Sequence, residues 1–152
     1  MQNSKRTMRN LVFALCIVHC AFFIASCSIP NLESAECVEA RDSARQFYSF
    51  HFGNEMRPTA ENFKARERYL TPRYFAALAN YPDNEHDPFT LTKDYPRTFK
   101  LAECKAASPD SIDLKIQLYW RDDLKTVQQE VQANFVKQDG KWLLDGVGSK
   151  GR

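Results

Sequence analysis

The chain has 152 residues, 43% hydrophobic and 26% charged, which places it among ordinary globular proteins and excludes disordered, collagen-like and polytopic membrane classes. Five Gly and seven Pro leave no long flexible linker, and no period of about 20 to 50 residues marks a solenoid, so one domain with an N-terminal extension is expected. The net charge of +2 is concentrated in Lys5, Arg6 and Arg9; without residues 1–26, 18 basic side chains face 19 acidic ones, so the excess that binds phosphate backbones is missing and no nucleic-acid partner is expected.

A polar, basic start followed by the apolar run Leu11 to Ala25, broken only by His19, is a signal-peptide pattern. The run falls short of the roughly 20 apolar residues of a bilayer-spanning helix and ends in small side chains. Ile24-Ala25-Ser26-Cys27 resembles the bacterial lipobox, in which an aliphatic residue and two small ones precede a Cys that is diacylated before cleavage; Ile stands here where Leu is commoner. The Ala-x-Ala-like site of an ordinary signal peptide is missing. The resemblance implies a lipoprotein signal peptide over 1–26, lipidation at Cys27, a short tether over 27–33, and the membrane as a partner through that lipid. Two or three acyl chains anchor stably where one does not. Ser28 in place of Asp leans toward the outer membrane where there is one, so a periplasm-facing position in the cell envelope is expected.

Cys16 and Cys20 lie in the discarded segment and Cys27 would carry lipid, which leaves Cys37 and Cys104. Neither has Cys or His close by in sequence, so zinc spacing is absent. In an oxidising compartment a bridge is the default for such a pair; two separate buried thiols are the alternative.

Glu33 to Phe52 reads as a helix with Cys37, Ala40, Ala44, Phe47, Tyr48 and His51 on one face, ended by Gly53. A second helix is expected from Ala60 to Leu70 behind Thr59, burying Phe63, with Tyr69 and Leu70 as further candidates, and exposing Glu61, Lys64 and Arg68. Thr71-Pro72 then has the form of an N-cap followed by Pro at the first helical position, opening a short helix to Asn80. Tyr81 to Pro96 is rich in Pro and Asp and should be irregular, and a loop of that length is often functional.

Beyond it the period changes to two. Thr98 to Ala107 is a strand turning at Ser108-Pro109-Asp110, and Ile112, Leu114, Ile116, Leu118 and Trp120 alternate with polar residues in the next. Arg121 to Lys125 is a polar turn, Val127 to Phe135 the returning strand, Asp139-Gly140 a hairpin signal, and Lys141 to Val147 the last strand. The expected class is α+β: three N-terminal helices on a curved antiparallel sheet of about four strands, spanning 34–148, with 149–152 as a tail.

The order of these elements, the Leu70-Thr71-Pro72-Arg73 helix start, the Asp87-Pro88-Phe89 loop and the terminal Asp139-Gly140-Lys141-Trp142 strand resemble the nuclear-transport-factor-2-like superfamily, and within it bacterial secreted or lipid-anchored domains. The resemblance spans about residues 35 to 147. It implies a cone-like sheet around a cavity that serves different members as an active site, a ligand pocket or a dimer surface, so a homodimer is one expected state and the fold alone selects no function.

The expected cavity is lined by Tyr48, His51 and Trp120, with Asp87 and Asp94 supplied by the long loop at its mouth. One His with one carboxylate is the minimum for acid–base chemistry, but no complete catalytic motif, Gly-rich phosphate loop, nucleophile elbow or metal helix occurs. His86 among Asn84, Glu85 and Asp87 reads as polar surface rather than a metal site. No catalytic residue, cofactor or metal is therefore expected. The leading reading is a lipid-anchored envelope protein with a non-enzymatic domain that binds a small ligand or a protein. The alternatives are a small isomerase, dehydratase or hydrolase using His51 with a loop carboxylate, and a periplasmic immunity protein.

Overall fold

The computed structural model describes residues 33–83, 85–121 and 126–149, all within the unit Glu33–Arg152. The expected signal peptide (1–26), Cys27, all of the tether but residue 33, most of the Arg121 to Lys125 turn and the tail beyond residue 149 lie outside the described residues.

Helix α1 (Ala35–Phe52) begins two residues later than expected because Ser34 takes the cap, its hydroxyl accepting from Cys37 N–H at 3.3 Å. Gly53 closes it by donating to Ser49 O at 3.1 Å. The stripe Cys37, Ala40, Ala44, Phe47, Tyr48 and His51 is buried as the helical phase requires.

Thr59 caps α2 (Ala60–Arg66), and the chain then tightens into a 3₁₀ turn over Glu67–Tyr69 instead of running on as α-helix to Leu70. The break has a tertiary cause. Leu70 is extended and forms a parallel bridge with Leu144, and Thr71 N–H donates to Leu144 O at 2.9 Å. Thr71 also precedes Pro72, a position that disfavours the helical region. Its hydroxyl accepts from Tyr74 N–H at 3.2 Å to start α3 (Pro72–Leu78), which stops short of the expected Asn80.

Strands β1 (Thr98–Ser108), β2 (Ser111–Arg121), β3 (Thr126–Gln138) and β4 (Lys141–Ser149) form one antiparallel sheet in sequence order. The class is α+β. Ile112, Leu114, Ile116 and Leu118 are fully buried, with Val131, Ala133 and Phe135 beside them from β3, and α1 lies across this face against β1, β2 and β4. Asp139 and Gly140 both have positive φ, 50° and 76°, the requirement of the tight hairpin turn that matches strand twist.

A disulfide joins Cys37 of α1 to Cys104 of β1 with the Cα atoms 6.0 Å apart, so the bridge rather than the separate-thiol alternative is present. Register shifts interrupt β1 between Leu101 and Cys104, and the β3–β4 ladder between Asn134 and Phe135, where Asp145 is the extra residue of β4. That bulge frees Asp145 to accept from Thr71 Oγ1 at 2.5 Å and to pair with Arg73, fastening the start of α3 to the sheet.

Candidate functional site

The titratable residues that the structure brings together lie in the core. His51, in the last turn of α1, has Asp87 on one side and Arg66 on the other. Its Nε2 is 2.9 Å from Asp87 Oδ2, and Arg66 Nε donates to its Nδ1 at 2.8 Å. A guanidinium only donates, so Nδ1 must accept and the ring proton sits on Nε2, aimed at the carboxylate. His51 is thus a neutral bridge between a cation and an anion. Exposure is 0% for His51, 1% for Arg66 and 0% for Asp87.

The remaining polar atoms are also matched. Arg66 donates to Asn62 O at 2.8 Å and to Glu55 O at 2.7 Å, while desolvation pulls its pKa below the usual arginine value and Asp87 opposes that shift. Asp87 Oδ2 accepts from Thr90 Oγ1 at 2.6 Å and Oδ1 from Phe89 N–H at 3.3 Å. Because the single Thr90 proton is spent on Asp87, Thr92 donates in the 2.8 Å contact between the two hydroxyls. Among the described residues no buried side-chain nitrogen or oxygen lacks a partner, as a buried polar network must satisfy to be tolerated.

This network folds the expected loop inward. Tyr48 OH donates to Phe89 O at 3.2 Å and Tyr74 OH to Pro88 O at 3.3 Å. The Phe89 ring, 1% exposed, packs edge-on against Phe47, His51, Phe63 and Tyr74. Burial raises the Tyr48 hydroxyl well above the ordinary tyrosine pKa, with Tyr74 and Asp87 adding to the effect. Leu91 takes φ of 57°, an unusual value for a non-glycine residue, where Leu91 N–H donates to Asp87 O at 2.7 Å.

The expected grouping of Tyr48, His51, Trp120, Asp87 and Asp94 around one pocket needs correction. Tyr48 and His51 have no exposed surface and line no solvent-open cavity. Asp87 joins them as part of a buried plug, not at a mouth, because three hydrogen bonds to its carboxylate outweigh its affinity for water. Asp94 and Trp120 sit elsewhere, with Trp120 Nε1 donating to Asp94 O at 2.6 Å, and they line an open cleft of about 500 Å³ with His86, Leu91, Thr92, Lys93 and Gln129. His86 pairs with Asp83 at 2.6 Å. Among the described residues no group of three or more His, Cys, Asp or Glu is placed to hold a metal ion, and no helix is long and apolar enough to cross a membrane.

Arg66, Thr90 and Thr92 were not singled out by the sequence. For Arg66 a signal was available, since Phe63, Arg66 and Leu70 repeat at helical spacing along one buried face. The two threonines carry none; their hydroxyls matter only because Asp87 turns inward.

Neither a protein-family profile nor a curated protein matches the chain. Solved structures do. A chain in the crystal structure of the type VI native effector–immunity complex Tae3–Tai3 from Ralstonia pickettii is similar with a TM-score of 0.58 at 15% identity, over 74% of this chain and 95% of that one. A protein of unknown function from Bacteroides thetaiotaomicron is similar with a TM-score of 0.46 at 14% identity, over 72% and 88%. At such identities the likeness to the Ralstonia chain is one of fold.

Proposed function

We propose that the chain is an exported, lipid-anchored protein of the cell envelope whose domain binds another protein and catalyses no reaction. The observation that carries this reading is the use made of its acid–base residues. Both ring nitrogens of His51 and both oxygens of Asp87 are occupied by protein groups, in a place that solvent does not reach. A general acid or base must lie within hydrogen-bond reach of its substrate, and here that reach is filled by the residues that hold the Asp87–Thr92 segment. In this reading the cone of the nuclear-transport-factor-2-like resemblance is filled by Phe47, Tyr48 and Phe89. What remains for recognition is the outside of the domain.

The narrower reading is an immunity protein that neutralises a toxin in the periplasm. The fold likeness to a chain of an effector–immunity complex favours it. The Cys37–Cys104 bridge suits an oxidising compartment, and the export pattern of residues 1–26 would deliver the chain there.

The test is a growth competition in the source strain together with photo-crosslinking of the full chain in the envelope. Cells lacking the chain should lose to wild-type sister cells on contact, and a secreted protein should crosslink to the chain and form a stoichiometric complex with it when purified. Equal growth of the two strains would set aside the immunity reading. If, in addition, no stoichiometric complex forms, protein binding itself is overturned.

A further inference from the structure

A cleft of about 530 Å³ lies between α1, the 3₁₀ turn and the start of β4, walled by Ser43, Gln46, Arg68, Tyr69, Lys141 and Trp142, with Leu143 beside them. Its charge is one-sided. Arg68 and Lys141 are its ionisable groups apart from the Tyr69 phenol, no carboxylate stands in the wall, and among the described residues neither cation forms an ion pair. Glu39, which accepts from Trp142 Nε1 at 3.2 Å, is neutralised by Lys137 at 2.7 Å.

Other clefts differ. On the open sheet face Lys115 stands 3.2 Å from Glu103 and 3.9 Å from Glu130, and Lys105 is 3.2 Å from Glu103. In the cleft beside Trp120, Lys93 is paired with Glu85 at 2.7 Å.

Arg68 is also set in place before anything binds. Its guanidinium carbon lies 4.7 Å from the Tyr69 ring centre and 5.1 Å from that of Phe50, and Nη2 donates to Tyr69 OH at 2.7 Å. A stacked guanidinium keeps its remaining N–H groups for an incoming acceptor and loses little freedom when one arrives. Its fork suits a carboxylate, which it can take through two parallel hydrogen bonds. The cleft is far larger than one oxyanion, and the half-buried Tyr69 ring, with the edge of Trp142 that reaches the surface from the core, gives it the aromatic character that protein interfaces favour.

We infer that this cleft receives an acidic segment of the protein partner, with carboxylates on Arg68 and Lys141 and the adjoining apolar atoms on Tyr69 and Trp142. The inference rests on the protein-binding reading above.

The chain has two tryptophans, so its two indole N–H signals give a probe in the cleft and an internal control in Trp120. The full-length ¹⁵N-labelled protein in detergent is titrated with a hexaglutamate peptide. The Trp142 signal should move saturably while that of Trp120 stays. Arg68→Glu/Lys141→Glu, two changes at exposed side chains, should weaken the peptide by at least about tenfold, and hexalysine and inorganic phosphate should leave Trp142 in place. A silent Trp142, an equal response in the double variant, or phosphate binding as tightly as the peptide would overturn the inference. The crosslinked partner separates the two levels. A double variant that keeps the partner complex overturns this inference alone, whereas a wild-type chain with no partner complex overturns the protein-binding reading and the inference with it.

Discussion

His51 Nε2 donates to Asp87 Oδ2 at 2.9 Å across 36 residues of chain, and the two side chains are 0% and 1% exposed. With Arg66 on the other ring nitrogen, removing any member leaves a buried charge or donor without its partner. Asp87→Asn should therefore destabilise the domain by about 3–5 kcal/mol, the range for breaking a buried pair from one side. Arg66→Met/His51→Leu/Asp87→Leu should cost less than the sum of the three single changes, because it removes the charges together. Urea unfolding of the set measures both. A loss below about 0.5 kcal/mol for Asp87→Asn, the usual effect of a surface change, would mean that the network does not hold the plug.

Cys37 and Cys104 are 67 residues apart in sequence, and their bridge ties α1 to an edge strand. Closing a loop of that length is worth about 4 kcal/mol in the chain-entropy account, a large share of the ~5–15 kcal/mol that stabilises a typical domain. Cys37→Ala/Cys104→Ala should lower the unfolding free energy by that order. Reduction of the wild type should have the same effect and leave the double variant unchanged.

Asp145 is subject to opposing influences. Burial raises its pKa, but the bonds from Arg73 and Thr71 prevail and hold it below the ordinary 3.8. A carboxylate depressed in the folded state adds stability above its unfolded pKa, and that contribution disappears as pH falls through the folded value. Arg73 is largely exposed, so solvent screening limits the gain to about 1 kcal/mol. At pH 7 Asp145→Asn should be less stable than wild type by that amount, and the gap should close below the unfolded pKa. Urea midpoints from about pH 7 to pH 2 test this; a gap that does not change with pH would exclude the ionised Asp145 as its source.

Lipidation at Cys27 has a direct readout. Metabolic labelling with a fatty-acid analogue should mark the wild type and Cys37→Ser and fail for Cys27→Ser. Equal labelling of both variants would remove the proposed anchor.

The sequence by itself determined whatever depends on a few neighbouring residues. The two-residue period from Ile112 to Leu118 corresponds to four fully buried side chains, because successive strand residues must face opposite ways. Thr71-Pro72 opens a helix and Asp139-Gly140 turns a hairpin for equally local reasons of hydrogen bonding and backbone sterics. Cys37 and Cys104 were legible as a pair by elimination.

Contacts between distant segments were decided only by the tertiary structure. Leu70 leaves the helix because the edge of β4 offers its neighbour a hydrogen bond. Asp87 and Asp94 lie in the same polar stretch, yet one enters the core and the other stays at the surface. The difference is that His51, Thr90 and the Phe89 amide converge on Asp87. Burying a carboxylate is unfavourable unless such partners arrive together, and their arrival depends on packing between segments up to 36 residues apart, which no local period encodes.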